Sequence, residues 1–563
     1  MGLAFALVIV RLLHLQVVER SRLTARAERQ QEQVITLEPK RGTIFDRRGR
    51  ELAVTLDVDS VYGVPSKVDN PRELATRLSR ILREDPRMLE RKLAGDKNFV
   101  WLSRKVDPSK AAKVKEFDSE EISLRSEMRR FYPKKALAGP LLGFTGVDNQ
   151  GLEGIERAYD KLLRGASGWV LAEKDAKGRM VFPGGPGFQF KMPTPGNDLI
   201  LTIDEVIQHI SEKELDAVLL SSRAKGGVCI VMNPHTGEVL ALSVRTNGAG
   251  RQAFNPNEPK RYKPAEWRNR AVTDAFEPGS IFKPILAAAA LEERIVHPLE
   301  RFDCRGGKIQ LADRVIKDAG EHGVLTFSDV IAESSNVGTI KVALRLGKER
   351  FYKYVTAFGF GRKTGVDLPG EISGLLRDVR LWSGVTIGEV AIGQEIGVTP
   401  IQIAVAYSAL ANGGTMMTPY IVSEIVDREG KRGQKFIPRP LGRVISAETS
   451  AKVNTILQRV IEAGTGRNAR LSGYTAAGKT GTAQKIDHKT GAYSKKEYVS
   501  SFAGFTPALS PKLVIVVMID TPEGVIYGGS VAAPVFKAVA EQSLAYLQTP
   551  PDDVEGRMLL VAR

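Results

Sequence analysis

F-E-P-G-S-I-F-K-P, residues 276–284, sets a serine and a lysine three positions apart just behind a Pro-Gly breaker. A helix is predicted over 280–293, and residues three apart share a helix face, so Lys283 stands over Ser280. Serine is a poor nucleophile until a neighbouring base takes its proton. The N–H groups and dipole of a helix start favour negative charge there. Lysine serves as the base only when burial or a second cation lowers its pKa.

Ser-x-x-Lys alone is a weak signal, and Ser222-Arg223-Ala224-Lys225 repeats it. That copy ends a predicted helix ahead of Gly226-Gly227, where a basic cap is expected. A second element lies in F-S-D-V-I-A-E-S-S-N-V-G (327–338). Ser334 and Asn336 flank one residue, as at a tight inter-helix turn, offering a hydroxyl to relay a proton and a carboxamide to hold a peptide group. Without the other elements, this pair reads as a helix cap. Lys-Thr-Gly occurs three times. Lys363-Thr364-Gly365 falls in a glycine-rich loop, and Lys489-Thr490-Gly491 reads as a hairpin turn. Only Lys479-Thr480-Gly481-Thr482 lies in a strand-like stretch with a trailing threonine. There Gly481 lets a substrate backbone approach an edge strand. Thr482 offers an N–H to an oxyanion, and Lys479 supplies positive charge.

The flanking pattern gives the fold class. A strand (L-I-L-T-I-D, 199–204) and a helix (205–221) precede two strands in 226–244 around the turn N-P-H-T-G-E. Helices follow at 280–293, 326–346 and 400–412, then strands at 474–484, 499–506 and 512–520. Strands, helices, then strands again predict an α+β domain, a helical cluster against an antiparallel sheet. Pro193, Pro195 and Gly196 mark its start, giving 197–549 with a polar tail over 550–563. Residues 19–196 form a separate α+β region. It opens on a polar stalk (19–34), turns at Asp46-Arg47-Arg48-Gly49 between two short strands, is charged and mostly helical over 70–120, and closes on G-L-E-G-I-E-R-A-Y-D-K-L-L-R-G, read as helix with a Gly stop. Residues 2–18 are apolar but for Arg11, His14 and Gln16, slightly short of the roughly 20 a spanning helix needs. With no basic leader or cleavage site, a signal anchor lacking part of its cytoplasmic leader is expected, against an amphipathic or buried helix.

The chain has 563 residues, 42% hydrophobic and 26% charged, with a formal charge of +16. Such a makeup is globular and suits an anionic partner. No zinc-ligand spacing or ribonucleoprotein signature is present, so nucleic acid is disfavoured. Two isolated cysteines, Cys229 and Cys304, make no disulfide framework.

The ordered triple of Ser-x-x-Lys, Ser-x-Asn and Lys-Thr-Gly-Thr on helix, helix and strand is shared by penicillin-binding proteins and serine β-lactamases. The chain resembles class B penicillin-binding proteins along nearly its whole length, most closely the septal, cell-division type, with the elongation type as the alternative. R-G-T-I-F-D-R-R-G-R-E-L-A and G-L-E-G-I-E-R-A-Y-D are similar to that family's pedestal motifs. N-R-A-V-T-D-A-F-E-P-G-S-I-F-K-P is similar to its nucleophile segment, except that Ile281 stands where threonine is usual. The resemblance implies a membrane-anchored, extracytoplasmic D,D-transpeptidase with Ser280 as nucleophile and Lys283 as base. It implies Ser334 as relay, Asn336 binding the donor peptide, Lys479 and Thr480 acting on the same hydrogen-bond network and on the terminal carboxylate, and Thr480, Gly481 and Thr482 binding substrate. D-Ala–D-Ala stem peptides and β-lactams are the implied ligands, and a polytopic glycan polymerase and other divisome proteins the implied partners. No metal or organic cofactor is implied. A β-lactamase would be much shorter, a carboxypeptidase would pass the acyl group to water, a sensor would carry several spans, and an inert scaffold would have lost catalytic residues.

Overall fold

The computed structural model describes residues 2–23, 32–117, 119–174, 180–181, 189–246, 253–427, 432–487 and 490–553. Part of the expected stalk, most of the tail and Lys489 lie outside these. The chain forms two compact units, each discontinuous along the sequence. One comprises residues 1–42, 54–131 and 161–197, the other 43–53, 132–160 and 198–563.

In the first unit the strand Glu51–Gly63, from Val54 on, pairs antiparallel with Ile122–Phe131 and Val100–Ser103. The charged stretch folds into helices Pro71–Leu82, Pro86–Leu93 and Pro108–Lys115. Each opens on Asn or Asp followed by proline. Proline tolerates the first helical position because its missing N–H would be unsatisfied anyway. Asn70 and Asp85 cap their helices through side-chain oxygens that accept from the N–H of Glu73 and Arg87. The apolar stripe of the first two helices, Leu74, Leu78, Leu82, Leu89 and Leu93, packs with Val61, Leu102 and Ile122 into the unit's core. Glu32–Leu37 pairs with Gly168–Lys174 in a second sheet. Gly2–Leu13 is helical, and among the described residues no helix is long and apolar enough to cross a membrane.

The second unit holds the predicted Asp46–Gly49 turn. Asp46 Oδ1 accepts from the N–H of Arg48 and of Arg50, both at 2.8 Å, and Gly49 takes the left-handed φ of 78° that the turn needs. The expected helix over 151–165 is instead two short helices, Gly154–Ala158 and Asp160–Arg164. Tyr159 sits at the break, where its hydroxyl donates to Asp367 Oδ2 at 2.8 Å.

The main framework of this unit begins with helix α1 (Glu205–Ser222), capped at its start by Asp204. Strands β1 (Gly226–Met232) and β2 (Val239–Arg245) follow, and β3 (Ala477–Ile486), β4 (Tyr493–Thr506) and β5 (Leu513–Asp520) come much later. They make one antiparallel sheet in the order β2-β1-β5-β4-β3, so β3 is an edge strand. Ile207, Leu215 and Leu219 of α1 cover one face with Phe536, Val539 and Leu544 of the C-terminal helix Ala533–Tyr546. The second copy of Ser-x-x-Lys sits at the α1 C-terminus, with Arg223 left-handed at φ 48° and Lys225 paired to Glu497, as a helix cap would be.

On the other face lie helices α2 (Lys283–Glu292), α3 (Phe327–Ala332), α4 (Asn336–Leu346) and α5 (Pro400–Ala411). α5 is buried almost throughout and packs on β1, β4 and β5. A capping box fixes its start, with Thr399 and Gln402 each bonded to the other's backbone. α2 is buried from Lys283 to Leu291 at the centre of the helical layer. The helix expected over 326–346 is broken into α3 and α4 at Ser334, a non-glycine residue with φ 62°. Ser335 caps α4 by accepting from the N–H of Gly338, which ends one helix and starts the next.

Candidate active site

Ser280 lies in a single 3-10 turn, Gly279–Phe282, that runs directly into α2, so the predicted helix begins tighter than an α-helix. The turn is clamped. Gly279 donates its N–H to the carbonyl of Gly393 at 2.9 Å, and a Cβ on Gly393 (φ 81°) would lie 2.1 Å from the Gly279 oxygen. The carbonyl of Ile281 accepts from the buried Tyr407 hydroxyl at 2.8 Å.

One turn on, Lys283 is fully buried. Its Nζ donates to the Ser334 carbonyl at 2.6 Å, Asn336 Oδ1 at 2.8 Å and Ser334 Oγ at 3.2 Å. The left-handed backbone of Ser334 presents both carbonyl and hydroxyl to the amine. Such a conformation costs about 1–2 kcal/mol and is the kind of strain found where function requires it. Burial lowers the Lys283 pKa to about 7, while the Asp318 carboxylate works against that shift.

Asp318 had no signal in the sequence. Its carboxylate accepts from Ser335 Oγ at 2.9 Å and from the backbone N–H of Asn336 and Val337, at the start of α4. Asn336 Nδ2 donates to the Lys317 carbonyl at 2.8 Å, which orients its oxygen to Lys283.

The third element arrives on β3. Lys479 is fully buried, and its Nζ donates to the carbonyl and hydroxyl of Thr480 at 3.3 and 3.4 Å. Burial and the Lys283 ammonium push its pKa well down, opposed by Glu333. Loss of a proton from either lysine relieves their repulsion. Thr480 Oγ1 is 2.7 Å from Thr465 Oγ1, a second partner without an assigned role in the sequence reading. Thr482 Oγ1 accepts from the Gly528 N–H at 3.0 Å, leaving its own proton free to donate.

Gly481 explains why β3 lies against the Ser280 turn. A Cβ there would lie 2.4 Å from Ser501 Oγ and 3.0 Å from both Ile281 Cγ2 and the Pro278 carbonyl. Gly481→Ala is therefore expected to destabilise the protein by about 1–3 kcal/mol, the usual range for overpacking. A denaturant melt checks this, and an unchanged midpoint would contradict the close approach. The rival Lys363-Thr364-Gly365 is remote from this chemistry, with Thr364 bonded through its N–H and hydroxyl to Glu371.

A buried lysine held between a serine turn and a Ser-x-Asn break, with a second lysine on an adjacent edge strand, defines a serine acyltransferase of the penicillin-recognising class. Residues 227–541 match the penicillin-binding protein transpeptidase domain, and residues 36–201 the penicillin-binding protein dimerisation domain. Stage V sporulation protein D of Bacillus subtilis (strain 168) is 37% identical over 558 residues, covering 98% of this chain and 85% of that protein. Peptidoglycan D,D-transpeptidase FtsI of Escherichia coli (strain K12) is 31% identical over 560 residues, covering 98% and 91%. The crystal structure of penicillin binding protein 3 from Mycobacterium tuberculosis complexed with aztreonam superposes with a TM-score of 0.71 at 29% identity, covering 92% of this chain and 98% of that one. The chain belongs to the class B penicillin-binding proteins, the serine D,D-transpeptidases of peptidoglycan.

Proposed function

We propose that this protein cross-links stem peptides in septal wall synthesis, with Ser280 as the acylated residue. The observation that carries the reading is the Lys283 amine, buried, near neutrality in pKa and bonded to Ser334 and Asn336. Neutral Lys283 takes the Ser280 proton as Oγ attacks the carbonyl of the D-Ala–D-Ala bond. The N–H groups of Ser280 and Thr482 hold the oxyanion. Of the three groups on Lys283 Nζ, only the Ser334 hydroxyl can both accept and donate a proton. It passes that proton to the leaving amine as the C–N bond breaks and D-Ala departs. An amine of a neighbouring stem then attacks the Ser280 ester, loses a proton and regenerates the serine, forming the cross-link. Lys479 and Thr480 hold the donor's terminal carboxylate. β-Lactams mimic the donor and stay on Ser280.

The septal assignment rests on the nucleophile segment and on G-T-G-R-N-A-R, S-F-A-G-F-T-P and Y-G-G-S-V-A-A-P-V-F. The sporulation name of one relative favours a second reading, wall synthesis at a developmental stage. Phe5, Leu7, Val8, Ile9, Val10, Leu12 and Leu13 are all exposed on the first helix, which supports a membrane anchor, and the transpeptidase reading puts the catalytic unit outside the cytoplasm. The glycan polymerase and other divisome proteins are the partners this reading expects.

The test is a fluorescent penicillin followed by trypsin and mass spectrometry. The label belongs on the peptide 271–294, since Lys283-Pro284 resists cleavage. A folded protein that takes no label, or takes it elsewhere, overturns the reading. Asp318→Asn tests the lysine. Removing the carboxylate that holds the Lys283 pKa up is expected to move the acid limb of the acylation rate below the wild-type midpoint of about 7. The rate itself also falls as Asn336 loses its anchor. A pH profile with an unmoved midpoint would assign Asp318 a merely structural part.

A further inference from the structure

Lys317 and Asp318, which hold the Ser334–Asn336 break in place, hang from a hairpin with little support of its own. Strands Lys308–Leu311 and Arg314–Lys317 pair antiparallel around the two-residue turn Ala312-Asp313 and join no larger sheet. A lone two-stranded hairpin is at best marginally stable in water. Of its strand residues only Leu311 and Ile316 are buried, in a small cluster with Ile340, Val385 and Ile392.

An ion pair adds to that seam. Arg314, exposed on the hairpin, donates from Nη1 to Glu389 Oε1 at 2.7 Å. Glu389 is 2% exposed, and its Oε2 is buried without a partner among the described residues. Removing the guanidinium leaves that buried carboxylate uncompensated, so breaking this pair costs more than breaking an exposed one. Glu389 sits on the short helix Thr386–Ala391. Two residues past it, the carbonyl of Gly393 accepts from Gly279 and clamps the Ser280 turn. The pair thus joins the side of the site that carries Ser280 to the hairpin that carries Asp318. From Arg314 the path along the chain is short. The Lys317 carbonyl accepts from Asn336 Nδ2 at 2.8 Å, and Asp318 accepts from Ser335 Oγ at 2.9 Å. The charged groups that face Lys283 are Asp318, at the hairpin's end, and Lys479 on β3. Neither Arg314 nor Glu389 acts on the amine directly.

We propose that Arg314 is a positioning residue for acylation: through Glu389 it fixes the hairpin, and through the hairpin it holds Asp318 and the Lys317 carbonyl against the Ser334–Asn336 break. This role rests on the reading of Lys283 as the base for Ser280.

The test is the pH profile of acylation by fluorescent penicillin in the purified protein, beside a denaturant melt. Arg314→Met is expected to slow acylation by about 10- to 100-fold, the scale of a small misplacement of reacting groups. Its acid limb should move below the wild-type midpoint of about 7, because a displaced Asp318 no longer holds the Lys283 pKa up. A direct loss of positive charge near the amine would move the limb the other way. Arg314→Lys keeps the single contact, which is not bidentate, and should stay within about threefold of the wild type with an unmoved midpoint. Added to Asp318→Asn, Arg314→Met should slow the reaction by no more than about threefold further, since coupled sites are not additive. Glu389→Gln removes the ion pair without leaving a buried charge, so it serves where Arg314→Met does not fold, and its midpoint should fall in the same direction. A folded Arg314→Met with the wild-type profile, or one that is slower at an unmoved or raised midpoint, overturns the positioning role. So do an Arg314→Lys as slow as Arg314→Met, losses that multiply with Asp318→Asn, or a wild-type profile in Glu389→Gln. A wild type that takes no label, or labels with no acid limb near 7, overturns instead the reading of Ser280 and Lys283 on which the role rests.

Discussion

Ser280→Ala is expected to abolish covalent labelling by penicillin and release of D-Ala, while the protein keeps its fold. In the proposed mechanism, alanine removes the atom that forms the acyl bond. The turn that carries Ser280 is held by Gly393, Tyr407 and the buried Ile281 and Phe282, none of which needs the serine hydroxyl. Stability should therefore stay within about 0.5 kcal/mol of the wild type, the range for a substitution that empties no core. Labelling read on a denaturing gel, beside a denaturant melt, separates lost chemistry from lost fold. A folded variant that still takes label at the wild-type rate would remove Ser280 from the mechanism. The effect is the largest expected here, since the proposed acyl-enzyme route passes through one oxygen.

The parts of this site that were legible in the sequence are those whose local chemistry repeats in space. Pro278-Gly279 before Ser280 announces a break ahead of a helix, and the structure puts the lysine one turn on. The trailing threonine singled out the Lys479 copy of Lys-Thr-Gly, and that copy forms the edge strand. The break at Ser334 is readable as a tight turn, although helical periodicity runs on through it from 326 to 346. What fixed the break is Asp318, which holds Ser335 and the first N–H groups of α4 from 17 to 19 residues upstream. No local pattern marks a carboxylate that acts across such a loop. Thr465 and Tyr407 were hidden for the same reason, since their contacts with Thr480 and Ile281 span 15 and 126 residues. The discontinuous units show the limit from another side. Breakers such as Pro193 and Gly196 report where the chain turns, whereas packing decides that 43–53 and 132–160 join the catalytic unit.

Lys283→Met is expected to slow acylation of Ser280 by about 100- to 10,000-fold, the contribution of a positioned general base. Methionine keeps the length of the side chain and suits a fully buried site, so the backbone of α2 has no reason to move. The loss falls on the proton transfer. The pH profile gives the decisive readout. Lysine must be unprotonated to accept the serine proton, and burial brings its pKa to about 7. Below that value the wild-type rate should fall by about tenfold per pH unit, and above it the rate should level off. The methionine variant has no group to titrate at that position, so its residual rate should lack this limb. The same substitution has an opposing effect on stability. An amine whose folded pKa lies below its unfolded value disfavours the folded state at low pH, and that cost is relieved as pH rises from about 7 toward the unfolded value. Methionine removes that cost, but it leaves the Ser334 carbonyl and Asn336 Oδ1 without their donor, at about 1–3 kcal/mol each. The wild type should therefore gain stability relative to the variant as pH rises through this window. A variant that acylates at the wild-type rate, or one that retains the acid limb, would move the role of base from Lys283 to Lys479.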